Sequence, residues 1–131
     1  MTDELIRRAR ARAEYAYAPF SNFRVGAVVV AEDGTVFEGA NVENSAYGTS
    51  MCAEATAIGH AISNGVRKID TVAVSCIDSA DEPGYPCGNC RQLMVEFDVD
   101  RILVDGPDGV VEHVLDDVMP YGFKLDKTPN A

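Results

Sequence analysis

Two short stretches hold the residues whose types and spacing could do chemistry: Cys52-Ala53-Glu54 and Pro86-Cys87-Gly88-Asn89-Cys90. Together they offer three thiolates for a metal and one carboxylate that the metal does not need. A closed structural zinc site takes four protein ligands, whereas three leave a position for water and lower its pKa to roughly 7. Glu54 then stands beside that water as the proton handler. The constellation suits hydrolytic attack on an amidine-like ring carbon, with Glu54 taking the water proton and passing protons to the ring nitrogen and the departing amine. The backbone N–H of Ala53, at a helix start, is placed to hold a ring carbonyl.

Blander readings use fewer of these residues. A lone Cys-x-x-C serves structural zinc and redox motifs equally well, but a redox reading leaves Cys52 and Glu54 idle. A closed zinc site would need a fourth ligand from His60 or His113. His60 lies eight residues beyond Cys52 on the same predicted helix, about 12 Å by helical rise, and cannot share the metal. His113 falls on a late strand and reads as a surface or interface residue. A zinc-stabilised binding protein without turnover would keep the cysteines and have no use for Glu54.

The elements around these residues follow from periodicity and punctuation. Thr2 to about Tyr17 reads as a helix with Thr2 or Asp3 as N-cap, acids in its first turn and arginines later, stopped by Pro19. Phe23 to Ala31 and Thr35 to Val42 read as strands joined by the Asp33-Gly34 hairpin signal. Cys52 to Asn64 is Ala- and Ile-rich at helical spacing, with Gly65 as its stop. Ile69 to Ile77 is apolar enough for a central strand, Asp78 to Pro86 is loop, and Gly88 to Phe97 opens a further helix around Cys90. Arg101 to Asp105 and Gly109 to His113 complete the strands, and Val114 to Met119 forms a terminal helical turn. Both cysteine motifs thus meet helix N-termini at one edge of a sheet, where partial positive charge stabilises thiolates. The expected architecture is a three-layer α/β/α domain with a central mixed five-stranded sheet.

The 131 residues fit a single domain over 1–131, long enough to bury roughly two-thirds of its unfolded surface without disulfide staples. The opening Met1-Thr2-Asp3-Glu4-Leu5-Ile6-Arg7-Arg8 is no signal peptide, and no run of about 20 apolar residues follows, so the expectation is a cytoplasmic protein with no membrane partner. Cys76, in the buried-strand pattern Val72 to Ile77, reads as a small core hydrophobe. A formal net charge of −10 repels phosphate backbones. With no basic stripe interleaved with aromatics either, nucleic acid is excluded as a partner and a free small molecule is favoured.

Over almost its whole length the chain resembles the small homotetrameric cytidine deaminases. The likeness rests on Pro19-Phe20-Ser21-Asn22-Phe23-Arg24-Val25-Gly26-Ala27, Gly39-Ala40-Asn41-Val42-Glu43-Asn44, Cys52-Ala53-Glu54, Pro86-Cys87-Gly88-Asn89-Cys90-Arg91-Gln92 and Met119-Pro120-Tyr121-Gly122-Phe123. It implies a Zn2+ cofactor on Cys52, Cys87 and Cys90, with Glu54 as catalytic proton shuttle. The implied reaction is hydrolytic deamination of cytidine and 2′-deoxycytidine to uridine and 2′-deoxyuridine with release of ammonia, in pyrimidine salvage. By the same resemblance Asn41 and Glu43 hold the ribose hydroxyls and Phe23 packs against the pyrimidine. Tyr47 and Phe123 are implied to reach a neighbouring subunit's pocket in a homotetramer. From residue type alone, Asn41 and Glu43 are ordinary polar strand ends and Phe23 the first core residue of a strand. Many members carry arginine after Cys-Ala-Glu, where it hydrogen-bonds the thiolates; here Ala55 stands there, and Arg91 is expected to compensate. A blasticidin S deaminase-like activity shares the zinc motifs, but Asn41-Val42-Glu43-Asn44 speaks for a plain nucleoside.

Overall fold

The computed structural model describes residues 1–79 and 81–127. Helix α1 (Thr2–Ala13) is followed by strands β1 (Val25–Ala31) and β2 (Val36–Ala40), a short 3₁₀ turn (Tyr47–Thr49) and helix α2 (Ala53–Ser63). Strand β3 (Ile69–Cys76), helix α3 (Gly88–Glu96), strands β4 (Arg101–Gly106) and β5 (Gly109–His113) and the single-turn helix α4 (Leu115–Val118) complete the order. The strands form one five-stranded sheet in the order β2-β1-β3-β4-β5. β1 pairs antiparallel with both β2 and β3, β3 pairs parallel with β4 across the α3 crossover, and β4 pairs antiparallel with β5. The mixed sheet expected from the sequence is therefore present.

Alternation along β1 divides the core. Val28 and Val30 point to one face, where with Ala73 and Leu103 they meet Leu5, Ile6 and Ala9 of α1. Ala27 and Val29 point to the other, where with Val72, Val74, Ile102 and Val104 they meet Ala53, Ala57, Ile58 and Ala61 of α2 and Met94 of α3. One layer of helix thus covers each face. Two glycines let the helices approach the sheet backbone directly: a Cβ at Gly26 would fall 2.0 Å from the Ala9 carbonyl oxygen, and one at Gly39 would fall 2.5 Å from the Ala57 nitrogen.

The first helix ends earlier than its sequence pattern predicts. Its last residue is Ala13, because Tyr17 leaves the helical path to donate its N–H to Asn41 and accept from the N–H of Glu43. Tertiary bridging outcompetes local propensity there. At the other end Met1, and neither Thr2 nor Asp3, occupies the cap position. The second strand stops at Ala40, with Val42 held only in isolated bridges to Tyr17 and Met51. Gly34 and Gly65 adopt φ of +90° and +95°, as the hairpin and the helix stop require.

Candidate active site

Cys52 caps α2 and Cys87 caps α3, each in extended conformation with no side-chain cap bond, and Cys90 lies in the first turn of α3. The two helix N-termini converge, bringing the three sulfurs within 4.8 Å of one another, with Cys52 Sγ and Cys87 Sγ 3.7 Å apart. A tetrahedral zinc with Zn–S bonds of about 2.3 Å sets sulfurs about 3.8 Å apart. The donor set and its spacing therefore fit zinc. Electrostatics point the same way: the Cys52 thiol is drawn down to about 6, its thiolate accepting from Cys90 and then Cys87. Cys90, bonded to Cys52 and buried, is pushed up. A dication would favour the thiolate form of all three.

Glu54, on the first turn of α2, is buried, with 4% of its surface exposed. Burial above all, with the Cys52 negative charge adding to it, pushes its carboxyl up to about 7. A carboxyl at that value gives and takes protons at neutral pH. It faces a cavity of about 300 Å³ lined by Cys52, Ala53, Cys87, Phe23, Asn41 and Tyr85 among others. This cavity opens at the end of the sheet where β1 begins and β2 and β3 finish. A larger depression of about 650 Å³ lies by the β1–β2 turn. Its Arg67 and Lys68 are engaged by backbone carbonyls and Asp100, and it gathers no set of reactive groups.

Six of the sequence-predicted residues line the cavity, Cys52, Ala53, Glu54, Cys87, Phe23 and Asn41, with Cys90 buried behind. Asn41 is buried and ties the rim at Phe23 and Val25. Its Oδ1 accepts from the Val25 N–H at 2.8 Å and its Nδ2 donates to the Phe23 carbonyl at 2.8 Å. One lone pair and one N–H of the amide remain for a ligand. Glu43 lies outside this cavity, in an adjoining one of about 320 Å³ with Phe20, Ser21, Tyr47 and Ser50. Its carboxylate accepts from the N–H groups of Phe20 and Ser21 at 2.9 and 3.1 Å and from the Ser21 hydroxyl, and the last of these most strongly holds its pKa down. Ser21 lines both cavities and connects them.

Tyr47 is exposed and packs edge-on against Phe20 at 6.1 Å between ring centres. Phe123 is exposed too, its backbone carbonyl accepting from Gln92 Nε2 at 3.0 Å. Within one chain neither reaches the cysteine cavity.

Residues 1–105 match the cytidine and deoxycytidylate deaminase zinc-binding region. The chain belongs to the cytidine and deoxycytidylate deaminase family. It is 46% identical over 95 residues to a cytidine deaminase of Sporosarcina psychrophila, covering 72% of this chain and 68% of that one. A cytidine deaminase of Mycobacterium tuberculosis is 39% identical over 114 residues, 87% of this chain and 83% of the relative. The fold matches the crystal structure of cytidine deaminase from Burkholderia pseudomallei with a TM-score of 0.86 at 39% identity, covering 94% of this chain and 99% of that one. Zinc is the metal bound by the matched region, and the sulfur cluster is the donor set in this chain that fits it.

Two features depart from the sequence expectations. Arg91 does not reach a sulfur: its Nε donates to the Pro86 carbonyl at 2.8 Å and its guanidinium to the Val118 carbonyl at 2.9 Å. It braces the residue before Cys87 and ties α3 to α4, so charge compensation at the thiolates falls to the helix N-termini. Ala55, where the resemblance leads one to expect arginine, lines a cavity of about 460 Å³ beside the cluster with Met51, Cys90, Asn89, Leu93 and Glu96. Cys76 is half-buried and lines the active-site cavity, where a purely core residue was expected. Strand parity carried that signal, since Cys76 shares a face with Val72 and Val74 at the strand end nearest the site.

Proposed function

We propose that the chain is a cytidine deaminase that converts cytidine and 2′-deoxycytidine to uridine and 2′-deoxyuridine with release of ammonia, serving pyrimidine salvage. The observation that carries this reading is a buried carboxyl at about 7 in one cavity with a three-sulfur cluster. Cys52, Cys87 and Cys90 hold the zinc, which supplies a water acidic enough to ionise near neutral pH. Glu54 would take a proton from the attacking water at its carboxylate oxygen and give it to ring N3, then take the proton of the hydroxyl added at C4 and give it to the departing amine; one buried group serves every transfer. The Ala53 N–H, unpaired at the start of α2, donates to the ring carbonyl. Phe23 packs on the pyrimidine and the free N–H and lone pair of Asn41 meet a ribose hydroxyl.

Glu43 contributes to ribose binding through the cavity it shares with Ser21. Its carboxylate already accepts from that loop, so the loop must shift or Glu43 must share its oxygens when the sugar enters. Tyr47 and Phe123, exposed and outside the single-chain cavity, support a homotetramer in which they complete a neighbour's pocket. Free cysteines at the site suit a reducing cytoplasm. Among the described residues no helix is long and apolar enough to cross a membrane. No lysine, arginine or histidine is among the described residues lining the cavity, which supports a neutral nucleoside over a nucleotide or a nucleic acid.

The test is an ultraviolet assay of zinc-quantified protein with cytidine, deoxycytidine, cytosine and blasticidin S, beside a Glu54→Gln variant. Turnover of the two nucleosides, lost in Glu54→Gln with zinc retained, is the expected result. Preference for blasticidin S would assign the antibiotic deaminase activity. Bound zinc with no turnover of any substrate would reassign the chain to binding.

A further inference from the structure

The walls of the active-site cavity come partly from strand ends and the start of α2, which are held by the sheet, and partly from two irregular segments. The first, around Ser21 to Phe23, is fastened by Asn41 and Glu43. The second, running into Cys87, supplies Gly84 and Tyr85. It is close to the sheet at Gly84, where a Cβ would sit 2.9 Å from the Cys76 Cβ. Arg91 of α3 braces it at Pro86, and a second side-chain fastening comes from the far edge of the sheet. Tyr85 Oη lies 2.7 Å from Nε2 of His113, the last residue of β5, and the two rings pack at 5.3 Å between centres. Asp117 Oδ2 lies 3.5 Å from His113 Nδ1. A carboxylate on that side favours the proton on Nδ1, leaving Nε2 to accept from the phenol. Asp117 is itself fixed by accepting the Val114 N–H at 3.2 Å.

We propose that Tyr85 is a substrate-positioning residue of the nucleoside pocket and that His113, oriented by Asp117, is the strut that holds it there. This rests on the proposed deaminase reading. Tyr85 is 42% exposed, so without His113 its hydroxyl finds water and the fold loses little. What is lost is the fixed position of one wall of the cavity. A wall set before the substrate arrives lowers the ordering cost of binding and acts on KM more than on the chemical step.

The test compares wild type, Tyr85→Phe, His113→Ala, His113→Gln and the double Tyr85→Phe/His113→Ala as zinc-loaded proteins. Expected in Tyr85→Phe and His113→Ala is a rise in the KM for cytidine of about fivefold, the equilibrium worth of one hydrogen bond. kcat should stay within about twofold and zinc per chain unchanged. The double variant should be no worse than either single, because the two changes break one interaction. His113→Gln, whose amide can accept from the phenol, should recover KM. Amide exchange at Gly84 and Tyr85 should quicken in His113→Ala and return in His113→Gln. Unchanged KM in both singles, or additive losses in the double, would overturn the strut. If wild type turns over no cytidine, the deaminase reading fails, and the exchange measurement alone decides whether His113 holds the wall.

Discussion

Gly39→Ala places one methyl group between β2 and α2. The added Cβ would stand 2.5 Å from the Ala57 nitrogen and 3.0 Å from both the Ala57 Cα and the Thr56 carbonyl carbon, where ordinary contact begins at 3.4 Å. All three neighbours are helix backbone, so no side chain can swing aside and α2 must recede by about 1 Å. Overpacking of this kind costs about 1–3 kcal/mol, here toward the upper end because the neighbours are rigid, or a fall in Tm of roughly 3–10 °C for a chain of this size. The consequence for activity is larger. α2 carries Cys52, Ala53 and Glu54, while Cys87 and Cys90 stay with α3, so the shift opens the sulfur cluster and moves Glu54, the proposed proton carrier. Misplacement by about 1 Å lowers kcat/KM by about 100-fold. Gly59→Ala on the same helix is the control: nothing lies within 4 Å of its added Cβ, and helix propensity alone should raise stability by up to about 1 kcal/mol. Thermal melting and the cytidine assay on both variants decide. A Gly39→Ala protein with unaltered Tm and turnover would refute the close approach of α2 to the sheet.

Glu54→Gln has a second readout in metal-free protein. A carboxyl raised from 4.5 to about 7 by folding stabilises fully below pH 4.5 and loses that contribution as pH rises through 7. Urea titrations should therefore find the variant gaining on wild type by up to about 3 kcal/mol between pH 4.5 and 8, and equal slopes would contradict the burial of Glu54. Arg91→Ala removes two charged-donor hydrogen bonds to carbonyls. It should cost about 2–4 kcal/mol on melting and speed zinc loss to a chelator by freeing Cys87. Ala55→Arg fills the cavity beside the cluster and brings a guanidinium to the thiolates, so zinc should be retained to lower pH in a colorimetric release assay. Deoxycytidine 5′-monophosphate should be turned over roughly tenfold or more less efficiently than deoxycytidine, because its phosphate meets acids and no free cation; comparable kcat/KM would remove the neutral-nucleoside assignment.

The chemistry was legible because it is local. Cys52 with Glu54, and Cys87 with Cys90, are set by spacing alone, and each pair falls where a helix begins, so the meeting of two N-termini completes the site. The mixed sheet was legible for a similar reason: the Asp33-Gly34 turn forces an antiparallel pair, and the helix between β3 and β4 allows a parallel one. What resisted reading was long-range. That the chain leaves the helical path after Ala13 so that Tyr17 pairs beside Val42, that Arg91 turns to Val118 instead of the sulfurs, and that His113 reaches across to Tyr85 depend on partners many residues away. No periodicity announces such contacts. Glu43 shows the same limit from the other side: its type suits a sugar hydroxyl, but the Phe20–Ser21 loop that occupies its carboxylate belongs to tertiary structure.

The distribution of cations links the fold to its ligand. All 11 lysines and arginines are engaged. Nine meet a carboxylate, including Arg8 and Arg12 on Glu38, Arg10 on Asp105, and Arg24 on Asp78 and Glu14. The other two, Arg67 and Arg91, are held by backbone carbonyls. With 21 acids against them, the negative excess is left to the surface and to the cavity rim. On the proposed reading, a site that gathers the cysteine sulfurs, Glu54 and nearby Glu43, with no uncommitted cation among the described residues, would repel anions, and zinc would be its one cation. On that reading the absence of spare cations would disfavour a phosphate-bearing ligand, and since three thiolates more than offset a dication, the two helix N-termini at Cys52 and Cys87 would be the remaining source of positive potential beside Glu54.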